Sequence, residues 1–326
     1  MTEAQARPDA PPIEARGLVK RYGDITAVDH VDLTVEPGDV YGYLGPNGAG
    51  KTTSLRMLLG LIRPTSGVAR LFGRDPLIEG ARALEGVAGF VEAPRFYTYL
   101  PGRANLELLA RLDGGDARSR IDEALDIVDL TSRGRDKVGG YSHGMRQRLG
   151  IAAALIRRPR LLLLDEPATG LDPAGMRDMR ALIQRLASEG ITVLLSSHQL
   201  AEVEELCNRV AIVRSGRIIY EGTIASLKAS GGERYRLSTT DDVQAVELIR
   251  VHRGVERCAL AVDGISLVAP AAVVPDLSIA LASAGIGIRE LVADTATLEE
   301  LFFRLTEGTV EEPPSPSVPV LEAAAP

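Results

Sequence analysis

The spacing of apolar residues changes several times along the chain, and each spacing predicts a different element. Alternating or β-branched runs predict strands, and Leu161–Leu164, apolar at every position, predicts a strand buried on both faces. The predicted strands lie at 13–18, 28–35, 40–44, 67–72, 88–92, 161–164, 192–195, 210–213 and 217–220. Apolar residues at helical spacing predict helices at 102–112, 118–130, about 141–157 and about 174–188. This order predicts an α/β domain over residues 13–224, in which residues 93–157 form a helical subdomain.

The last third of the chain has a different pattern. Strands are predicted at 235–238, 258–262, 265–268 and 286–292, with helices near 242–252 and 274–284. A final amphipathic helix carries Leu298, Leu301, Phe302 and Leu305 on one face. The order strand–helix–strand–strand–helix–strand predicts a small α+β accessory domain of ferredoxin-like type over residues 230–307. Residues 1–12 and 308–326 are rich in proline, alanine and acidic residues, which predicts disordered tails.

Composition narrows the class of protein. The chain has 326 residues, of which 45% are hydrophobic and 25% charged, enough for two domains with buried cores. The net charge is −7 and the basic residues are scattered, so we expect no nucleic-acid partner. Cys207 and Cys258 are expected to be reduced thiols, and the N-terminus lacks the pattern of a signal peptide. The apolar stretch 267–288 contains two prolines and Asp276, which favour a strand, loop and helix over a membrane span.

A glycine-rich stretch between the strand at 40–44 and a helical pattern carries the clearest chemical signal. The pattern G-x-x-x-x-G-K-[ST] in this context is typical of a phosphate-binding loop, because glycines let successive N–H groups point at one anion. Lys51 would reach the β- and γ-phosphates, Thr52 would offer its hydroxyl to Mg²⁺, and Thr53 would donate to the α-phosphate. The predicted nucleotide-binding residues are Gly45, Pro46, Asn47, Gly48, Ala49, Gly50, Lys51, Thr52 and Thr53, together with Tyr22 as a candidate contact for adenine.

Three further features are candidates for function. Asp165 and Glu166 follow the buried strand, at the end where open α/β sheets bind ligands. Tyr22 lies between the first two strands and has two interpretations, ordinary packing or an aromatic face for adenine. Phe96 and Tyr97 lie in an aromatic loop bracketed by prolines, which is either a docking surface for another protein or a small core under the loop.

Together, these motifs resemble the nucleotide-binding subunit of ABC transporters over residues 13–224. The phosphate loop is followed by a signature at Tyr141-Ser142-His143-Gly144-Met145, by the acid pair, by a D-loop at Gly170-Leu171-Asp172 and by a switch histidine, His198. The resemblance implies the fold of a P-loop NTPase, with a mixed sheet core and a helical subdomain.

The resemblance also implies a role for each residue. Asp165 would hold Mg²⁺ through water, Glu166 would polarise the attacking water, and His198 would contact the γ-phosphate. We expect burial beside a polyphosphate to raise the pKa of Glu166. The signature residues Ser142, His143, Gly144 and Met145 would act in trans, on the nucleotide of a second copy, so that two subunits close head-to-tail over two ATP molecules. The D-loop would contribute Asp172.

Two departures from the family pattern bear on these roles. Glu92 stands where the family has its Q-loop glutamine; it would still reach Mg²⁺ or its water, but it adds a negative charge near the γ-phosphate. The signature differs from Leu-Ser-Gly-Gly-Gln, and His143 either lies near the partner's nucleotide or faces solvent without a role. Glu92, the aromatic loop and Ser-x-Gly-Met resemble the bacitracin-resistance and lantibiotic-immunity branch, and the α+β domain resembles that of drug-export ATPases.

The expected protein is therefore the ATP-hydrolysing subunit of an exporter for an antibiotic, peptide or lipid-like compound. It would use ATP and Mg²⁺, form a homodimer, and bind an integral-membrane permease through Phe96 and Tyr97. Its place would be cytoplasmic, peripheral on the inner face of the cell membrane. The alternatives are a soluble ABC-type ATPase acting on ribosomes or DNA, and a nucleotide-sensing regulatory module.

Overall fold

A computed structural model describes residues 10–113, 116–229, 233–261, 264–294 and 297–307. The strands are β1 Ile13–Tyr22, β2 Ile25–Val35, β3 Val40–Leu44, β4 Ser66–Leu71, β5 Val87–Phe90, β6 Leu161–Asp165, β7 Thr192–Ser197, β8 Arg209–Arg214, β9 Arg217–Thr223, β10 Arg234–Thr239, β11 Arg257–Ala261, β12 Gly264–Val268 and β13 Ile288–Asp294. The helices are α1 Lys51–Leu58, α2 Pro76–Glu79, α3 Gly102–Asp113, α4 Ile121–Ile127, α5 His143–Leu155, α6 Pro173–Ser188, α7 Leu200–Leu206, α8 Ile224–Ala229, α9 Asp242–Val251, α10 Val274–Ser283 and α11 Leu298–Glu307.

A six-stranded sheet in the order β5-β6-β7-β3-β8-β9 forms the centre of the first domain. All neighbours in it are parallel except β8 and β9, so the predicted mixed sheet is confirmed. Its apolar strands are buried on both faces, because alternate side chains enter different cores. Leu162 and Leu164 face the larger core with the helices, whereas Leu161 and Leu163 face a second core.

That second core lies under a three-stranded antiparallel sheet, β2-β1-β4. The strands β1 and β2 extend beyond the predicted runs and approach each other as far as the pair Tyr22 and Ile25. Tyr41 and Tyr43 of β3 are buried in this core together with α1. The phosphate loop therefore emerges from a strand that is packed tightly on both sides.

The helices α3, α4 and α5 form the predicted helical subdomain over the larger core. The helix predicted at 118–130 is shorter, since residues 117–120 form a 3₁₀ turn before α4. On α3, Leu106 and Ala110 are buried, whereas Leu108, Leu109 and Leu112 are exposed. The outer face of α3 consequently presents leucines to the surface.

The C-terminal sheet has the order β11-β12-β10-β13, with neighbouring strands antiparallel, and α9 and α10 pack on one face. This is the order of a ferredoxin-like unit, as the sequence pattern predicts. Residues 267–288 form the end of β12, a loop and α10. Among the residues described, no helix combines the length and apolarity needed to cross a bilayer.

The final helix leaves the accessory sheet and packs on the first domain. Leu298 and Leu301 of α11 are buried in the larger core, against α7 and α8, two helices that the sequence pattern did not reveal. Glu204 of α7 accepts a hydrogen bond from the N–H of Leu298 at 3.3 Å. The span 230–307 expected for the accessory domain thus ends in a helix whose apolar face belongs to the first domain's core. Residues 1–9 and 308–326 of the predicted tails lie outside the described residues, and Pro12 is buried.

The docking of α11 yields a matched pair of substitutions. Leu301 is 3% exposed and Leu305, one turn later on the same helix, is 36% exposed. We expect Leu301→Ala to lower the free energy of unfolding by about 2–4 kcal/mol, because it leaves a cavity in the core. Leu305→Ala, the control, is expected to change it by about 1 kcal/mol or less. Urea unfolding followed by circular dichroism measures both, and equal losses would show that α11 does not dock as described.

Candidate active site

The phosphate loop joins β3 to α1 through backbone conformations that only glycine adopts readily. Gly50 has a φ of +98° and lies so close to the Ala27 carbonyl oxygen that an added Cβ would be 2.3 Å from it. Gly50 also occupies the N-cap of α1 and offers no side chain to the first turn. The N–H groups of that turn are therefore left to an external acceptor, at the positive end of the helix dipole.

Lys51 is buried and its ammonium group lies over the loop. Its Nζ donates to the carbonyl oxygens of Gly45 at 2.8 Å and Pro46 at 3.3 Å. The same Nζ lies 3.2 Å from Glu166 Oε1. The predicted phosphate-binding lysine and the predicted general base therefore form an ion pair.

Asp165 and Thr52 meet at the end of β6, as their expected common role requires. The hydroxyl of Thr52 donates to Asp165 Oδ2 at 2.9 Å, and Ser196 at the end of β7 donates to Oδ1 at 2.5 Å. A hydroxyl and a carboxylate are hard oxygen donors, and Mg²⁺ usually takes one or two protein groups while phosphates and waters complete its shell. These two residues fit such an ion. No pattern in the sequence distinguishes Ser196 from other serines at strand ends.

Glu166 is held from three sides and in a left-handed backbone conformation, with a φ of +51°. Its Oε2 accepts hydrogen bonds from Thr169 Oγ1 at 2.7 Å and from His198 Nδ1 at 2.6 Å. Burial acts to raise the pKa of Glu166, but the Thr169 hydrogen bond, the charge of Lys51 and the His198 hydrogen bond together leave it below its usual value. The pKa of Glu166 is therefore lowered in the nucleotide-free site, and the increase expected beside a bound polyphosphate stays a prediction. Burial was anticipated from the sequence, but the three opposing partners were not.

His198 directly follows β7, and hydrogen bonds of Ser197 hold the turn that carries it. Ser197 Oγ accepts a hydrogen bond from the N–H of Gln199 at 3.0 Å and donates to the buried carboxylate of Glu202 at 2.7 Å. Burial raises the pKa of Glu202, while the Ser197 hydrogen bond lowers it less. The turn thus orients the imidazole towards Glu166.

The backbone N–H of Glu92 contacts the site, whereas its carboxylate points to Arg56. Its N–H donates to Asp165 Oδ2 at 3.3 Å, and its φ is +67°. The carboxylate instead pairs with Arg56 of α1, with Arg56 Nη2 2.5 Å from Glu92 Oε1. Thr52 and Asp165 therefore meet without it, and a metal contact by Glu92 stays a prediction. Arg56 also neutralises the extra negative charge that glutamate brings to this position.

The signature residues begin α5. Ser142 is the N-cap, and its Oγ accepts a hydrogen bond from the N–H of Met145 at 3.2 Å, as expected for serine at this position. Gly144 approaches Leu171, so the signature lies beside the D-loop of its own chain. His143 Nε2 lies 3.0 Å from the Thr169 carbonyl oxygen, a contact that neither interpretation from the sequence included.

Asp172 has a structural role in addition to the one that the family resemblance implies. Its Oδ1 accepts a hydrogen bond from the N–H of Gly175 at 2.8 Å and so caps α6. The same carboxylate fixes the end of the loop that starts at Glu166. A role at the active site stays a prediction for Asp172.

The aromatic residues lie on two separate surfaces. Tyr22 ends β1, is half exposed, and has Lys20 Nζ 5.0 Å from its ring centre.

In the aromatic loop, Phe96 packs on the larger core while Tyr97 is 57% exposed. Asn105 on α3 accepts a hydrogen bond from the N–H of Tyr97 at 2.8 Å and donates one to the carbonyl oxygen of Tyr97 at 3.1 Å. This loop and the outer leucines of α3 line a groove of about 650 Å³; the residues are Arg95, Phe96, Tyr97, Asn105, Leu108, Leu109, Arg111 and Leu112.

Comparisons with known proteins show which proteins this chain is similar to. The sequence model of the family described as "ABC transporter" matches residues 28–169. The chain is 40% identical over 298 residues to the bacitracin transport ATP-binding protein BcrA of Bacillus licheniformis, covering 91% of this chain and 97% of that protein. It is also 40% identical over 305 residues to the daunorubicin resistance ATP-binding protein DrrA3 of Streptomyces coeruleorubidus, covering 90% and 95%. A solved structure titled as an ATP binding subunit of an ABC transporter covers 67% of this chain and 92% of its own, with a TM-score of 0.61 and 27% identity.

Proposed function

The chain belongs to the ABC transporter family, as an ATP-binding protein that hydrolyses ATP, and from this premise we propose that it powers a separate membrane permease that exports an antibiotic, peptide or lipid-like compound. The names of two relatives, concerned with bacitracin transport and daunorubicin resistance, support cargo of this kind. The observation that carries the proposal is the meeting of Lys51, Asp165, Glu166 and His198 at one edge of the sheet.

In the proposed reaction, the phosphate loop and Lys51 bind the β- and γ-phosphates of ATP. Thr52 and Asp165 would hold Mg²⁺, which would supply positive charge to neutralise those phosphates. Glu166 orients a water molecule and accepts its proton as the water oxygen bonds to the γ-phosphorus and the bond to ADP breaks. His198, bonded to Glu166, keeps that carboxylate in place.

The ion pair between Lys51 and Glu166 suggests how binding prepares the site. A triphosphate carries more negative charge than one carboxylate and accepts more hydrogen bonds, so it competes for the ammonium group of Lys51. Glu166 is then released towards water while Thr169 and His198 still hold its other oxygen. In the nucleotide-free site the lowered pKa keeps Glu166 ionised at neutral pH, and the loss of Lys51 to the triphosphate removes one cause of that lowering, so Glu166 becomes a better proton acceptor. The expected gain in rate comes from positioning and charge stabilisation.

The proposed assembly is a homodimer in which each signature faces the partner's nucleotide. Ser142 is exposed at the N-terminus of α5, where the helix dipole favours a negatively charged group. In the protein's proposed cytoplasmic location, on the inner face of the membrane, the permease would dock in the groove beside α3. An apolar groove with exposed aromatic and leucine side chains suits an apolar helix of another protein.

The role of Glu166 is tested by its isosteric amide. We expect Glu166→Gln to lower the kcat of ATP hydrolysis by a factor of about 10²–10⁴ because the proton acceptor is lost. The affinity for ATP should persist, since the phosphate loop is intact. Glu189→Gln, at an exposed ion pair with Arg185, is the matched control and should hydrolyse normally. Phosphate release and binding of a fluorescent ATP analogue measure the two effects, and normal turnover by Glu166→Gln would assign the base elsewhere.

The docking groove is tested by charge. We expect Phe96→Glu and Tyr97→Glu to reduce substrate export at least about tenfold, because a carboxylate is costly to bury in an apolar interface. Basal hydrolysis should stay near normal. Ile78→Glu adds the same charge at an apolar residue that is 82% exposed on α2, and it should leave export unchanged. Vesicles containing the permease allow export and hydrolysis to be measured together; loss of basal hydrolysis in the groove variants would argue against a docking role.

A further inference from the structure

His143 begins α5, and its ring lies on the loop that follows Glu166. Its Nε2 is 3.0 Å from the carbonyl oxygen of Thr169. Because a carbonyl oxygen only accepts, Nε2 carries the proton in this hydrogen bond. Gly170 has a φ of +76°, and a Cβ added there would lie 3.5 Å from ring atoms Cδ2 and Nε2 of His143. The imidazole thus packs on the backbone of the loop as well as bonding to it.

Thr169 connects this contact to Glu166. Its side-chain hydroxyl donates to Glu166 Oε2 at 2.7 Å, while its N–H donates to the Glu166 carbonyl oxygen at 3.2 Å. One residue therefore bonds to the imidazole through its carbonyl group and to the carboxylate through its hydroxyl. A displacement of the Thr169 backbone would move the hydroxyl and, with it, the hydrogen bond that orients Glu166.

The loop needs such support because of its backbone conformation. Glu166 has a φ of +51°, a backbone conformation that is strained for a residue with a side chain and persists only where surrounding contacts impose it. The far end of the loop is fixed by Asp172 at the cap of α6. His143 contacts the middle of the loop, between these two ends. A leucine-sized apolar side chain at position 143 would fill the same space without bonding to the loop.

We infer that His143 is a positioning residue for Glu166, acting through Thr169 within its own subunit rather than by touching a nucleotide. The inference rests on the proposed function, because it takes Glu166 to be the group that activates water. As a consequence, a hydrogen bond joins the N-terminus of α5 to the loop that follows the proposed base. A ligand or partner that shifts this end of α5 therefore changes the orientation of Glu166.

The test separates turnover from nucleotide affinity. His143→Leu keeps the bulk and removes the donor, whereas His143→Gln keeps an N–H donor. Using the full-length chain, we expect His143→Leu to lower the kcat of ATP hydrolysis about tenfold while KM changes less than about twofold, the result of misplacing a group without removing ground-state binding. His143→Gln should restore most of the rate. An increased KM with normal kcat, as for direct nucleotide contact, would overturn the inference, and so would an unchanged His143→Leu.

A double-mutant cycle tests the route through Thr169. Thr169→Val removes the hydroxyl that bonds to Glu166 and keeps the shape of the side chain. If His143 acts along this route, His143→Leu should add little to the loss already caused by Thr169→Val. Multiplicative losses would overturn the route. Glu166→Gln in the same assay separates the two levels of failure: if it turns over normally, the proposed base is wrong, whereas an inactive Glu166→Gln beside a normal His143→Leu refutes only the positioning role.

A second readout needs no nucleotide. The chain has four histidines, so long-range ¹⁵N–¹H spectra of the imidazoles are simple, and His143→Leu identifies the signal of His143. Above the pH at which the ring loses its charge, we expect the proton on Nε2, the nitrogen that donates to Thr169. A proton on Nδ1 instead would contradict the hydrogen bond on which the inference depends.

Discussion

The site depends on the contacts that the carboxylate of Glu166 makes with three neighbouring side chains. Lys51 faces one of its oxygens, and Thr169 and His198 donate to the other. Each partner favours the ionised form, and together they outweigh the burial that disfavours it. The negative charge of Glu166 thus connects the phosphate loop, the turn that carries His198 and the loop after β6. A bound phosphate group competes for only one of these three contacts, the ion pair with Lys51.

The sheet explains why these partners meet. The strands β3, β7 and β6 are parallel neighbours, so their carboxyl ends reach the same edge. The phosphate loop follows β3, His198 follows β7, and the acid pair lies at the end of β6. Burial of these strands on both faces holds their ends in register, because a shift of one residue would exchange the two cores. Short loops on a rigid sheet thus place groups from distant parts of the chain within hydrogen-bond distance.

The sequence predicts those features that local patterns encode. The phosphate loop has its strand–turn–helix context, and the accessory domain follows its predicted order of elements. Contacts between side chains distant in sequence were not predictable. The carboxylate of Glu92 turns to Arg56, Ser196 supports Asp165, and the pKa of Glu166 is lowered by partners from three segments. The docking of α11 was hidden for the same reason, since an amphipathic pattern states that a face is buried but not against what.

The most direct test of this account is the pKa of Glu166 in the nucleotide-free protein. Carbon-13 spectra of the labelled side-chain carboxyl, recorded against pH and assigned with the Glu166→Gln variant, measure it. We predict that the pKa of Glu166 lies below the ordinary glutamate value of about 4.3 and that it rises when Lys51 is replaced by methionine. A pKa at or above the ordinary value, unaffected by Lys51, would show that burial prevails and that Glu166 is not held as described.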